Sequence, residues 1–233
     1  MGLDRVSRLR ETVRRGADEL GGATATEILA WADDALRHRV VVASSMQDAV
    51  VIDLAAQVRP GFDVVFLDTG YHFAETLLLR EAVAAEYDVR LINALPGQTV
   101  EEQDAHYGEA LHDRNPDLCC YLRKVTPLNT ILGMYDGWVT GLRRGETETR
   151  VDLAPIEWDE AREMVKINPI VDWSDEKVAA YIDRRHILVN LLRADGYGSI
   201  GCAPCTSRIE AGQDARAGRW SGTGKIECGI HLT

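Results

Sequence analysis

Arg39-Val40-Val41-Val42-Ala43-Ser44-Ser45-Met46-Gln47-Asp48 decides the architecture of this chain. A valine-rich run this short reads as a strand buried on both faces. The polar turn after it leads into residues 48–58, whose pattern is helical and which Pro60-Gly61 stops. The alternation then repeats. Asp63 to Leu67 reads as a strand, Asp68-Thr69-Gly70 as a turn, and Phe73 to Glu86 as a helix. Val89 to Asn93 and Trp138 to Leu142 read as further strands. Upstream, Leu3 to Leu20 is a charged amphipathic helix ended by Gly21-Gly22. Thr24-Ala25-Thr26-Glu27 is a capping box opening a second helix to about Leu36. Downstream, residues 117–132 read as a helix, and Ser174 caps another that reaches about Arg185. Strands alternating with helices predict an α/β fold, a mostly parallel sheet flanked by helices.

A chain of 233 residues with 45% apolar content suits one domain with a substantial core. Within it, 1–36 is an N-terminal helical region without a usable motif. Residues 212–233, rich in Gly, Arg and Ser at their start, read as a mobile tail. The net charge of −11 argues against a nucleic-acid binder. Residues 121–150 run the other way, with five basic residues against three acidic, which suits a small anionic ligand. No apolar run reaches membrane-spanning length, and the N-terminus lacks a signal-peptide core. A cytoplasmic protein is expected, where paired cysteines more often bind metal or do redox chemistry than form structural disulfides.

The cysteines divide unevenly. Cys119 and Cys120 are adjacent, Cys202 and Cys205 flank Ala-Pro, and Cys228 stands alone near the end. Four thiols in two pairs suffice for a metal centre. Zinc sites usually use two separated knuckles, whereas neighbours on a helix point about 100° apart. Cys119 and Cys120 would therefore strain to reach one ion. The separate irons of a 4Fe-4S cluster accommodate them more easily. Zinc, and simple burial of the Cys119-Cys120 pair, remain the other readings. Cys228 is either an inert thiol or a nucleophile whose thiolate Lys225 and His231 would stabilise.

Anion-binding features gather at the predicted strand ends, where open parallel sheets hold ligands. Ser44 and Ser45 follow the first strand, and Asp68, Thr69 and Gly70 follow the second. Each group is an ordinary turn or an anion site at a helix N-terminus. The serine loop is not a Walker A motif, because it lacks the Gly-Lys-Ser/Thr ending. Arg123 and Lys124 follow the cysteine pair by about one helical turn. Arg143, Arg144 and Arg150 follow the fourth strand, and Arg216 and Arg219 flank Gly218. Any one of them is a solvated charge unless they converge. The arginine fork suits phosphate or sulfate.

Taken together, Cys119-Cys120-Tyr121-Leu122-Arg123-Lys124-Val125, Ser199-Ile200-Gly201-Cys202-Ala203-Pro204-Cys205-Thr206, Gly218-Arg219-Trp220 and Glu227-Cys228-Gly229-Ile230-His231 resemble the assimilatory sulfonucleotide reductases. The likeness is to the cluster-containing, thioredoxin-dependent adenylyl-sulfate (APS) reductases of actinobacterial type, and it runs from about Val40 to the C-terminus. It implies an adenine-nucleotide α-hydrolase-like fold with a modified phosphate loop at Ser44 and Ser45. It implies Asp68, Thr69 and Gly70 near the nucleotide, and substrate contacts from Arg123, Arg143, Arg150, Arg216 and Arg219. It implies Lys124 linking the cluster region to the substrate's sulfate, His231 in the closing tail, and Cys228 as nucleophile. Cys119, Cys120, Cys202 and Cys205 would hold a 4Fe-4S cluster. The implied reaction reduces APS to sulfite and AMP through an S-sulfocysteine, with thioredoxin as reductant, in sulfate assimilation. A homo-oligomer is left open. The alternatives are use of the 3′-phosphorylated substrate (PAPS), alone or in addition, a cluster-containing adenylating ATP pyrophosphatase or tRNA thiolase, and a zinc-stabilised interaction module. The pyrophosphatases use a Ser-Gly-Gly-x-Asp-Ser loop, and Ser44-Ser45-Met46-Gln47-Asp48 lacks both glycines.

Overall fold

A computed structural model of the chain describes residues 2–210, 212–220, 225 and 227–231. Of the tail expected over 212–233, positions 221–224, 226, 232 and 233 lie outside the described residues. The chain opens with α1 (Gly2–Glu19) and α2 (Ala25–Ala35), the latter started by the expected Thr24/Glu27 capping box. β1 (Val40–Ser44), α3 (Val50–Val58), β2 (Phe62–Leu67), α4 (Ala74–Glu86) and β3 (Val89–Ala94) follow, close to their expected bounds. Then come α5 (Val100–Tyr107), α6 (Leu111–Arg114), α7 (Pro116–Cys120) and α8 (Thr126–Leu132). β4 (Gly137–Val139), β5 (Ile156–Asp159), β6 (Met164–Ile167) and α9 (Asp175–Arg185) complete the order.

The described strands form one six-stranded sheet in the order β3-β2-β1-β4-β6-β5. All neighbours are parallel except β5, which runs antiparallel at the edge. β1 is central, with Val41 opposite Asp63 on one side and Trp138 on the other. Its valines are buried on both faces, which explains the unbroken apolar run. Val40 and Val42 join the core beneath α2 and α3, while Val41 and Val65 join the core beneath α8. The chain turns to one side of β1 for β2 and to the other for β4. That reversal leaves a crevice at the C-terminal strand ends.

The strand expected over Trp138 to Leu142 is shorter and shifted. It starts at Gly137, where an added Cβ would lie 2.5 Å from Leu36 and 3.2 Å from the Val165 carbonyl. It ends at Val139, after which the Thr140 hydroxyl turns to Asn168 at 2.5 Å. The helix expected over residues 117–132 forms, but with a π-helical turn over Tyr121–Val125. Pro127 has no N–H to give Arg123, so the helix widens and Thr126 N–H reaches the Tyr121 carbonyl instead.

Candidate functional site

Three segments meet at the crevice. The serine loop after β1 lacks glycine, and Met46 takes the left-handed conformation there (φ 56°) with its side chain fully buried. Ser44 Oγ accepts from Met46 N at 3.2 Å. Gln47 Oε1 accepts from Ile200 N at 3.0 Å, which ties this loop to the segment entering Cys202. The turn after β2 is tied to the same place, since Ala203 N donates to the Tyr71 carbonyl at 2.7 Å. Asp68 Oδ1 caps Gly70 N at 3.2 Å, and Gly70 sits at φ 73°. Ser45 stays exposed.

Cys119, Cys120, Cys202 and Cys205 line one small pocket together with Lys124. All five cysteines are free thiols. Among the described residues, no three His, Cys, Asp or Glu side chains form a group that could hold a single metal ion. Thr69, read from sequence as a nucleotide contact, has its hydroxyl 3.3 Å from Cys202 Sγ. Burial pushes the Cys119 thiol up to about 11, with Cys202 and Cys205 adding to the rise. Cys120 faces differently. Its thiol is raised first by a hydrogen bond with Cys228 and then by burial.

Cys228 is buried, and its thiol is held well below its ordinary range. The hydrogen bond from Cys120 lowers it most, against burial. Lys124, the Ile230 amide and Arg219 lower it further. Those last three do not depend on the proton of Cys120. Burial alone would lower the Lys124 ammonium, yet Cys202, Cys228 and Cys120 attract it and its pKa rises. Arg219 closes the group. An added Cβ on Gly201 would lie 2.3 Å from its guanidinium, so glycine there gives the arginine its room. Arg219 Nη1 donates to Ser199 Oγ at 3.3 Å, while its buried Nε has no hydrogen-bond partner. An ammonium and a guanidinium with an unmet donor, beside a depressed thiol, have the chemistry to receive an oxyanion.

His231 stacks on Trp138 at 5.6 Å and 9°, with Nδ1 buried and unpartnered. Burial, then Lys166, Arg150, Arg162 and Arg216, hold its pKa well below the ordinary value, so the ring is neutral. Trp138 Nε1 is fixed by Asp159 at 3.0 Å.

The other arginine candidates are each held by protein partners. Arg123 is buried and donates to the Thr69 carbonyl at 2.5 Å and to Gln103 Oε1 at 3.2 Å, so it braces the turn after β2. Arg143 pairs with Asp175 at 2.7 Å and Glu146 at 3.4 Å. Arg150 pairs with Glu146 and Glu227, and Arg216 with Glu227. Sequence reading missed those carboxylates. Glu146 stands four residues before Arg150, a helical spacing, but nothing in the pattern links either residue to Glu227.

Comparison with known proteins bears on this arrangement. Residues 38–208 match the family model described as "Phosphoadenosine phosphosulfate reductase domain". A protein of Streptomyces coelicolor named "Adenosine 5'-phosphosulfate reductase" is 56% identical over 223 residues, covering 96% of this chain and 94% of that protein. A solved phosphoadenylyl-sulfate (PAPS) reductase from Candida auris superposes with a TM-score of 0.71 at 28% identity. That match covers 84% of this chain and 96% of the other. A Candida glabrata FMN adenylyltransferase matches at TM-score 0.57 and 12% identity, over 88% of this chain and 74% of the other, a likeness of fold alone.

Proposed function

The chain belongs to the phosphoadenosine phosphosulfate reductase domain family, and on that premise we propose that it reduces adenosine 5′-phosphosulfate to sulfite and AMP. The observation that carries this reading is Cys228, a buried thiol that Lys124 and Arg219 face with positive charge. The name borne by the Streptomyces relative supports APS over the 3′-phosphorylated nucleotide.

The Cys228 thiolate attacks the sulfur of the mixed anhydride. A sulfur–sulfur bond forms, the anhydride S–O bond breaks, and AMP leaves with the electron pair on its phosphate oxygen. Lys124 and Arg219 neutralise the charge gathering on the oxygens around the attacked sulfur. Neutral His231, on its Trp138 support, adds no charge that would draw the thiolate into an ion pair. Ser44, Ser45 and the Asp68–Gly70 turn sit at the strand ends where the nucleotide phosphate would bind. A reductant thiolate of the thioredoxin class then attacks Cys228 Sγ and sulfite leaves. Its second thiol resolves the mixed disulfide, so the dithiol supplies both electrons and Cys228 returns as a thiolate.

Four free thiols lining one small pocket fit the donor set of a 4Fe-4S cluster, one thiolate to each iron. Cys119, Cys120, Cys202 and Cys205 would hold it. When bound, it supplies a rigid link between α7 and the turn at Cys202–Cys205, and a local field beside Lys124. No described helix is long and apolar enough to cross a membrane, and five free thiols suit the reducing cytoplasm, where thioredoxin works.

Cys228→Ser tests the reading. The variant should keep the broad cluster absorption near roughly 400 nm and release no sulfite from APS. Turnover at the wild-type rate would overturn the nucleophile assignment. Supplying PAPS in a parallel assay separates the two substrates.

A further inference from the structure

The arm that carries Cys228 is tied down at two residues that precede the cysteine. Lys225 pairs with Asp117 of α7, the helix of the cysteine pair. At Glu227, both oxygens are engaged. Arg150 donates to Oε1 from Nε at 3.0 Å and lies 2.7 Å from it through Nη2. Arg216 Nη2 donates to Oε2 at 3.1 Å. The contact is sheltered, with side-chain exposures of 8% for Arg150, 11% for Glu227 and 18% for Arg216. Arg150 is itself fixed. Its Nη1 pairs with Glu146, which also pairs with Arg143, and Arg143 is held by Asp175 and the Trp173 carbonyl. The chain of charges therefore runs from the N-terminus of α9, through the turn at Glu148–Arg150, to the residue immediately before the nucleophile.

We infer that Glu227 is a positioning residue that locks the Cys228 arm closed, by bridging Arg150 of the body and Arg216 of the tail. The argument is geometric. A carboxylate gripped on both oxygens by two planar guanidinium groups cannot rotate, and the next residue inherits that fixed orientation. Such a sheltered bridge is costly to break from one side, because it strands the partner charges. The body half of the lock is Arg150, so its loss should free the arm as loss of Glu227 does. The inference rests on the proposed role of Cys228, but the lock itself exists without substrate.

The test is the rate at which iodoacetamide alkylates Cys228 in iron-loaded, substrate-free protein, mapped by peptide mass spectrometry. Glu227→Gln and Arg150→Gln are compared with wild type after iron content and melting temperature are matched. Both variants should raise the Cys228 rate by about fivefold or more. A smaller rise in either overturns the lock. In steady-state assays of Glu227→Gln the loss should fall on kcat, because the nucleophile is misplaced after substrate binds. A loss confined to KM also overturns it. If wild-type Cys228 never gained a sulfonate from APS, the proposed function would fail while the alkylation result still decided the lock.

Discussion

Cys119 and Cys120 are neighbours in sequence with different neighbours in space. Cys119 feels Cys202 and Cys205, whereas Cys120 feels Cys228, and Lys124 acts on both. Adjacent helical residues diverge by about 100°, and that divergence puts one thiol toward the paired cysteines and the other toward Cys228. If Cys120 ligates iron, Cys120→Ser should purify with its iron content lowered and the roughly 400 nm band reduced. Full iron content would remove it from the ligand set. At this scale the grouping of the four paired cysteines was legible, because spacing separates two pairs from a fifth thiol. The partners of the arginines were not. Arg123 looked like an anion ligand beside Lys124, yet it is buried against the Thr69, Gln98 and Thr99 carbonyls. A sequence gives the charge of an arginine but not which carbonyls or carboxylates the fold carries to it.

The elements from β1 to β3 were readable because each strand is a short apolar run between strong stop signals. β5 and β6 were not. Each is four residues long, and each carries charge, Glu157 and Asp159 in one and Lys166 in the other. Lys166 is buried and pairs with Glu157 at 2.7 Å, so the charge that hides the strand is neutralised across it. The π-helical turn was also hidden, since its cause is one missing N–H at Pro127. A comparable cross-strand device joins β2 to β3. Asp63 accepts from Arg90 at 2.5 and 2.6 Å and from the Tyr135 hydroxyl at 2.8 Å. Burial would raise the Asp63 carboxyl, but these bonds outweigh it and the pKa falls. A carboxyl depressed in the folded state stabilises fully above its unfolded value of about 3.9. That contribution is lost as pH falls through the folded value. Asp63→Asn should cost about 1–2 kcal/mol at pH 7, at the low end of charged hydrogen bonds because Arg90 is largely exposed. The deficit should shrink at pH 3, as read by urea unfolding at both pH values. An equal deficit at both would show that the charge of Asp63 is not what stabilises the pair.

Across the whole molecule, the reversal of strand order around β1 explains why residues so far apart in sequence share one site. The serine loop, the turn after β2, the helix of Cys119 and Cys120, the turn at Cys202–Cys205 and the Cys228 arm all end on one crevice. The alternating pattern already implied a parallel sheet with its ligand beyond the strand ends. It did not reveal that Cys228 is buried, because the Arg150–Glu227 pair beside it joins residues 77 positions apart. The central claim is that Cys228 takes the sulfonate directly from the nucleotide. Intact mass spectrometry after incubation with APS and no reductant measures this. The expected result is a gain of one SO₃ group, mapped to Cys228, with one AMP released for each modified chain. AMP release with Cys228 unmodified, or a sulfonate on another cysteine, would contradict it.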